Sequence, residues 1–197
     1  MLELDTPHGT ARAHLHPAAE PRAALVLGHG AGGGVTAPDH VAATTAALAA
    51  DVSVALVEQP YRVLGRRSPS PAAQLDTAWI AVVKQLCEGP LDGLPLLTGG
   101  RSSGARVACR TAATIDPVGV VCLAFPLRPP GRPDAPSRLP ELEAVTAPLL
   151  VVQGEGDPFG IPPPSELRTV LLVPGNHSLR SAKPVTEAVQ AWLSQQV

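Results

Sequence analysis

The segment that decides the fold is Leu96-Leu97-Thr98-Gly99-Gly100-Arg101-Ser102-Ser103-Gly104-Ala105-Arg106-Val107. An apolar run ends at paired glycines, a serine and another glycine follow, and a run of helix-forming residues begins. The pattern Gly100-x-Ser102-x-Gly104 is typical of a sharp turn between a buried strand and a helix, with the serine hydroxyl exposed at the edge of a sheet. A Cβ in place of either glycine would collide with a neighbouring strand or helix. Ser102 is therefore the candidate nucleophile.

Apolar runs alternate with helical segments along the rest of the chain. This alternation predicts an α/β fold with a mostly parallel sheet of about seven strands and helices on both faces. Residues 2–4 and 11–16 are predicted to form a hairpin at one edge. The other predicted strands are 23–27, 52–57, 94–97, 118–124, 149–152 and 168–173. The predicted helices are 39–50, 72–87, 103–115 and 184–193.

Length and composition are typical of one compact domain spanning residues 1–197. The chain is 45% hydrophobic and 16% charged, which excludes a disordered protein. A net charge of −2 does not indicate a broad basic surface for nucleic acid or an anionic membrane. No apolar stretch approaches the roughly 20 residues of a membrane span, and the first residues do not resemble a signal peptide. We expect neither a metal nor a cofactor.

The three cysteines, Cys87, Cys109 and Cys122, have no metal-binding or redox spacing. They lie in apolar or helical segments and are interpreted as reduced core residues. Reduced cysteines predict a cytoplasmic location.

A serine hydroxyl needs a base to remove its proton and an acid to orient that base. Asp157 follows the strand predicted at 149–152, and His177 follows the strand at 168–173. Carboxyl ends of parallel strands share one sheet edge, so these side chains are predicted to meet Ser102. The order Ser102, Asp157, His177 also fits this type of enzyme. Glu155 and Asp134 are the alternative acids.

Each partner also has a structural interpretation. Asp157 could cap a turn before a proline, and His177 could be a solvent-facing residue at a helix start. The placement of all three groups at strand ends, in this order, favours catalysis.

Attack on a carbonyl also requires two N–H groups that bind the developing oxyanion. One is predicted to be the amide of Ser103, at the start of a helix. The other is predicted to come from the loop Gly28-His29-Gly30-Ala31-Gly32-Gly33-Gly34, with Ala31 or Gly32 as donor.

The same loop has a competing interpretation. Gly28-x-Gly30-x-x-Gly33 formally matches a dinucleotide-binding fingerprint, and Glu58 ends the next strand, where a ribose-binding acid would lie. This interpretation, an oxidoreductase, leaves Ser102, Asp157 and His177 without a role.

Taken together, these motifs resemble the α/β-hydrolase superfamily over nearly the whole chain. The likeness is greatest to a small, capless, dienelactone-hydrolase-like branch that includes a testis-expressed protein and a nonspecific-lethal complex subunit. The resemblance implies Ser102 as nucleophile, Asp157 as acid and His177 as base. The matching segments are His29-Gly30-Ala31-Gly32, Gln59-Pro60-Tyr61, Gly65-Arg66-Arg67-Ser68-Pro69, residues 99–106, residues 154–160 and Asn176-His177-Ser178-Leu179.

The chain departs from these relatives near the serine. They tend to carry Met and Gly where this chain has Ser103 and Ala105. True dienelactone hydrolases use a cysteine, whereas position 102 is a serine, so that activity is not implied. Some relatives act as scaffolds within larger assemblies, and a non-catalytic protein-binding role is the main alternative to a serine hydrolase.

The expected substrate is a small-molecule acyl ester or thioester. Only the proline-rich segment 125–140 and a short stretch at 139–145 fit between the strands where larger hydrolases insert a cap, so a shallow, open site is predicted. The cluster Arg62, Arg66 and Arg67 is predicted to be a solvated basic loop near the rim. The predicted pocket walls are Tyr61, Phe125, Leu127 and Phe159, and each of these residues could equally be a packing residue.

Overall fold

The computed structural model describes residues 1–132 and 134–196, and Pro133 of the proline-rich segment lies outside them. The fold is an eight-stranded sheet in the order β1-β2-β4-β3-β5-β6-β7-β8, which agrees with the expected sheet of about seven strands. The strands are β1 (Leu2–Thr6), β2 (Gly9–His16), β3 (Ala23–Gly28), β4 (Val52–Glu58), β5 (Leu96–Arg101), β6 (Gly119–Leu123), β7 (Leu149–Gly154) and β8 (Arg168–Val173). The helices are α1 (Pro38–Leu48), α2 (Pro60–Val63), α3 (Ala72–Cys87), α4 (Ser103–Ile115), α5 (Leu139–Glu143) and α6 (Ala182–Leu193).

The sheet is parallel from β4 to β8, whereas β1 and β2 form the predicted antiparallel hairpin at one edge. Central strands such as β3, β6 and β7 are buried along their whole length. A parallel sheet covered on both faces requires such continuous apolar strands. The predicted α/β class is confirmed.

Helices cover both faces of the sheet, as expected. Helices α1 and α6 pack on one face against alternating strand residues that include Leu25, Leu27 and Leu150. Helix α3 packs on the other face against Ala24 and Val26, and α4 and α5 continue that layer. The alternation arises because successive residues of a strand point to opposite faces.

Two helices differ locally from the expected elements. Residues 59–71, for which the sequence predicts neither a strand nor a helix, contain the one-turn helix α2, which begins with Pro60 at a position where the missing N–H has no cost. Helix α1 begins at Pro38 with Ala37 as its N-cap, so Asp39 lies inside the first turn.

No large insertion follows β6. In the described residues between β6 and β7, the only helix is the five-residue α5. Among residues 1–132 and 134–196, no cap therefore covers the carboxyl ends of the parallel strands. Within the described chain, no helix has the length and apolar character needed to cross a membrane.

Candidate active site

Ser102 occupies the turn between β5 and α4. Its φ of 51° and ψ of −107° lie in a region that non-glycine residues rarely adopt, so the backbone is strained at this residue. The turn is held by the Ser102 N–H, which donates to the carbonyl of Leu123 at 2.9 Å. This hydrogen bond to the end of β6 therefore holds Ser102 in its strained conformation.

The glycines beside Ser102 allow three backbones to approach closely. A Cβ at Gly100 would lie 2.5 Å from the carbonyl oxygen of Gly28, and one at Gly104 would overlap the same oxygen. Strand β3, strand β5 and helix α4 therefore meet at Gly28 with no room for side chains.

Ser102 lies in a hydrogen-bonded chain with the two predicted partners. Oγ of Ser102 lies 2.9 Å from Nε2 of His177, and Nδ1 of His177 lies 2.9 Å from Oδ2 of Asp157. With Nδ1–H donating to the carboxylate, Nε2 is left as the acceptor for the serine proton. This arrangement can activate a hydroxyl for attack on a carbonyl. The alternative acids Glu155 and Asp134 are exposed, and His177 contacts neither.

The Asp157 carboxylate is fixed by two other donors. The side-chain amide of Gln153 donates to Oδ2 at 2.7 Å, and the N–H of Phe159 donates to Oδ1 at 2.9 Å. The same amide group of Gln153 lies 3.1 Å from the carbonyl oxygen of Phe125 and 2.9 Å from that of Gly160. Gln153 thus joins the end of β7 to the acid loop and to the chain leaving β6.

Backbone amides near Ser102 are available for an oxyanion. Ser103 is the first residue of α4, so its N–H has no partner within the helix. Ala31 and Gly32 line the cleft beside Ser102, and no hydrogen bond of residues 1–132 or 134–196 uses their amides. The residues predicted to supply the second donor thus lie at the cleft.

The cleft over Ser102 has a volume of about 500 Å³ and includes His177, Phe159 and Arg180 in its lining. The rings of Phe159 and His177 lie 4.1 Å apart, centroid to centroid, at an angle of 31°. Phe159 therefore forms one wall and packs against the imidazole. Another cavity of about 450 Å³, between β2 and α1, contains neither Ser102 nor His177.

The other three expected wall residues do not line this cleft. Tyr61 is 3% exposed and packs edge-on against His29, and Phe125 is fully buried beside α4 and α5. Leu127 is also buried, next to Gly160. The chain leaving β6 turns inward, so its apolar side chains join the core instead of the cleft.

The basic cluster also lies away from the cleft. Arg66 and Arg67 are exposed, Arg62 is half-buried, and none of them lines the cavity over Ser102. The cations of the cleft are Arg101 and Arg180.

His29, in the loop after β3, is a buried neutral histidine. Its Nδ1 donates to the carbonyl of Gly30 at 2.8 Å, and its Nε2 accepts the N–H of Gln59 at 3.1 Å. Burial lowers the pKa of His29 from 6.5 to about 4. The ring therefore holds the loop of Ala31 and Gly32 against the end of β4.

Three further residues of the site were not singled out by the motifs: Gln153, Arg101 and Asp39. Arg101 and Asp39 form a buried ion pair with Nε and Oδ2 2.7 Å apart. Only Arg101 lies within a motif, at residues 99–106, and nothing in the spacing of the three residues indicates these contacts.

The dinucleotide fingerprint has a structural explanation here. The N–H of Gly33 donates to the carbonyl of Gly30, forming a turn at the cleft, and Glu58 pairs with His14 of the adjacent strand at 2.9 Å. The glycines therefore shape the loop beside Ser102, and Glu58 has a partner within the sheet.

An α/β sheet with a strained serine turn, and with histidine and carboxylate groups at later strand ends, defines the class of α/β-hydrolase folds. The profile of the Alpha/beta hydrolase domain family matches residues 21–196, and the chain belongs to that family. A search of curated protein sequences finds none that matches.

Solved structures share the fold at low sequence identity. A lidless α/β serine hydrolase from Xanthomonas campestris has a TM-score of 0.76 and 21% identity, covering 98% of this chain and 93% of that one. Est1E from Butyrivibrio proteoclasticus has a TM-score of 0.78 and 16% identity, covering 99% and 98%. A dienelactone hydrolase from Anabaena variabilis has a TM-score of 0.74 and 16% identity, covering 98% and 94%.

Proposed function

We propose that this protein is a serine hydrolase that cleaves a small ester or thioester through an acyl-enzyme. The observation that carries the proposal is the chain of two hydrogen bonds, each of 2.9 Å, from Ser102 through His177 to Asp157. Membership of the Alpha/beta hydrolase domain family supports hydrolysis in general.

In this mechanism, His177 takes the Ser102 proton as Oγ attacks the carbonyl carbon. Asp157 holds the Nδ1–H tautomer and stabilises the imidazolium. The amides of Ser103 and of Ala31 or Gly32 bind the oxyanion, and loss of one such donor costs about 3 kcal/mol of transition-state stabilisation. Collapse of the tetrahedral intermediate expels the alcohol or thiol, which takes the proton from His177. Water then releases the acid by the same steps.

The shape of the cleft limits the substrate class. The cavity is open and has no helical cap among the described residues after β6, so little apolar surface is available to cover a long acyl chain. Phe159 offers one aromatic wall beside the reacting atoms. We therefore expect short acyl groups, or acyl groups presented on a larger molecule, to be preferred.

A panel of p-nitrophenyl esters from acetyl to dodecanoyl tests this function. We expect hydrolysis with a preference for short chains, loss of activity in Ser102→Ala, and retention in Ser103→Ala, since the latter keeps its amide. Turnover that survives Ser102→Ala would contradict the proposal. Absence of turnover, with a folded protein, would favour the non-catalytic scaffold.

The narrower relationship to the dienelactone-hydrolase-like branch with the testis-expressed protein and the nonspecific-lethal complex subunit is part of the same proposal. It is supported by the segments around His29, Ser102 and His177. A cytoplasmic location is supported by the three free cysteines.

A further inference from the structure

We propose that Arg101 is a positioning residue for the base: its guanidinium, held by the buried carboxylate of Asp39, fixes the backbone of His177 relative to Ser102. The inference rests on the proposed function, because it assigns a role within the same site. Arg101 precedes Ser102 directly, so its backbone already belongs to the strained turn.

The guanidinium joins two segments that are remote in sequence. Its Nη2 donates to the carbonyl oxygen of His177 at 3.1 Å, while its Nε lies 2.7 Å from Oδ2 of Asp39. The side chain of Asp39 is fully buried and that of Arg101 is 15% exposed, so solvent screens this pair weakly. The position of His177 is thus tied to the first turn of α1.

A third segment packs against the same group. A Cβ at Gly30 would lie 2.7 Å from Nη1 of Arg101, and one at Gly33 would lie 3.6 Å away. Glycine at position 30 therefore provides the space that the guanidinium occupies. Arg101 lies between the loop of the proposed oxyanion donors and the loop of the base.

His177 benefits from such support because its loop lies near the surface. Residues 174–176 are exposed, and Gly175 has a φ of 125°. The N–H of Gly156 donates to the carbonyl of Gly175 at 2.9 Å and anchors the start of the loop. Arg101 supplies an anchor at His177 itself, on the residue whose ring must meet Ser102.

Asp39 is itself tied to the loop after β3. Its Oδ1 accepts the N–H of His40 at 3.0 Å, and the His40 ring contacts the carbonyl oxygen of Gly28 at 3.2 Å. Removing Arg101 would leave the Asp39 charge buried without its partner, which is strongly unfavourable. A double substitution that removes both charges therefore separates lost positioning from an uncompensated charge.

The experiment compares Arg101→Gln, Arg101→Lys, Asp39→Asn and the double variant with a matched control. The control is Arg110→Gln, which breaks a pair between α4 and α3: Nη2 of Arg110 lies 2.6 Å from Oδ1 of Asp76, away from the cleft. Each variant is measured for kcat and KM on p-nitrophenyl acetate, for stability in urea, and for hydrogen exchange in residues 174–181.

We expect Arg101→Gln to lower kcat roughly tenfold to a hundredfold, because the base is displaced from Ser102. KM should stay within about twofold of the wild-type value, because binding of the substrate in the ground state does not depend on the base. Arg101→Lys should recover part of kcat, since an ammonium reaches one partner but lacks the fork needed for both. Adding Asp39→Asn to the Arg101→Gln variant should lower kcat little further. Exchange in residues 174–181 should accelerate in Arg101→Gln and not in Arg110→Gln.

Equal kcat for Arg101→Gln and Arg110→Gln, at equal loss of stability, would overturn the positioning role. If Arg101→Gln does not fold, a kcat for Arg101→Lys equal to the wild-type value would also overturn it. If the wild type hydrolyses no ester, the proposed function fails on its own, and the exchange comparison still decides whether Arg101 orders the His177 loop.

Discussion

Nε2 of His177 lies 2.9 Å from Oγ of Ser102, although 75 positions separate the two residues in the chain. They meet because Ser102 follows β5 and His177 follows β8, and parallel strands end at the same edge of the sheet. Asp157 follows β7, which ends at the same edge of the sheet, and its carboxylate contacts the other ring nitrogen of His177.

Asp157→Asn is expected to lower kcat by roughly a thousandfold to ten-thousandfold. An amide cannot hold the imidazole in the tautomer that leaves Nε2 as an acceptor. The fold should persist, because the amide is close in size to the carboxylate. Steady-state kinetics with an unfolding curve in urea checks both statements, and a kcat near the wild-type value would exclude Asp157 as the orienting acid.

Gln153→Met is expected to reduce stability by about 2 kcal/mol and kcat by about tenfold. The substitution keeps an unbranched side chain but removes the donor that contacts Asp157, Phe125 and Gly160. Gln190→Met, on the exposed face of α6, is the control. If both variants unfold at the same urea concentration as the wild type, the Gln153 amide does not hold the acid loop.

Because of His29, the free energy of unfolding is expected to decrease as the pH falls below 6.5. Its pKa is about 4 in the folded protein and 6.5 in an unfolded chain, so the unfolded state binds more protons between these values. The stabilisation is complete above pH 6.5 and is lost progressively as the pH falls towards 4, by about 3 kcal/mol in total.

Urea unfolding across this pH range measures the effect. His29→Gln should show a shallower dependence of the free energy of unfolding on pH, whereas His8→Gln, an exposed histidine, should keep the wild-type slope. Parallel slopes for His29→Gln and the wild type would contradict a buried neutral His29.

Gly104→Ala is expected to destabilise the fold by about 3 kcal/mol. Alanine is ordinarily favoured in a helix, but here its Cβ would overlap the carbonyl oxygen of Gly28. Gly34→Ala is the matched control, since no atom lies within 4 Å of the added Cβ and φ is not positive. Similar unfolding curves for the two variants would show that β3 and α4 can separate at no cost.

The sequence predicts most of the fold because its signals are local. Apolar runs predict buried strands, and the pattern around Ser102 predicts a specific turn. The positions of Asp157 and His177 directly after predicted strands therefore predict that both lie near the serine. The α/β class and the edge hairpin are confirmed in this way.

The direction in which a side chain points cannot be predicted from local sequence, and the wrong predictions of wall residues arise for this reason. Tyr61, Phe125 and Leu127 are predicted pocket walls, but in the structure their side chains are buried in the core. The role of Arg101 could not be predicted for the same reason, because its partners Asp39 and His177 lie in distant segments of the chain. Long side chains that bridge loops depend on tertiary structure alone.

The most direct test of the account is the reaction of the purified protein with a fluorophosphonate, followed by intact-mass measurement and peptide mapping. A serine activated by His177 should gain one phosphonyl group, located on Ser102, in the wild type and in Ser103→Ala but not in Ser102→Ala. A folded wild-type protein that stays unmodified, or that carries the group on another residue, would contradict the central claim that Ser102 is an activated nucleophile.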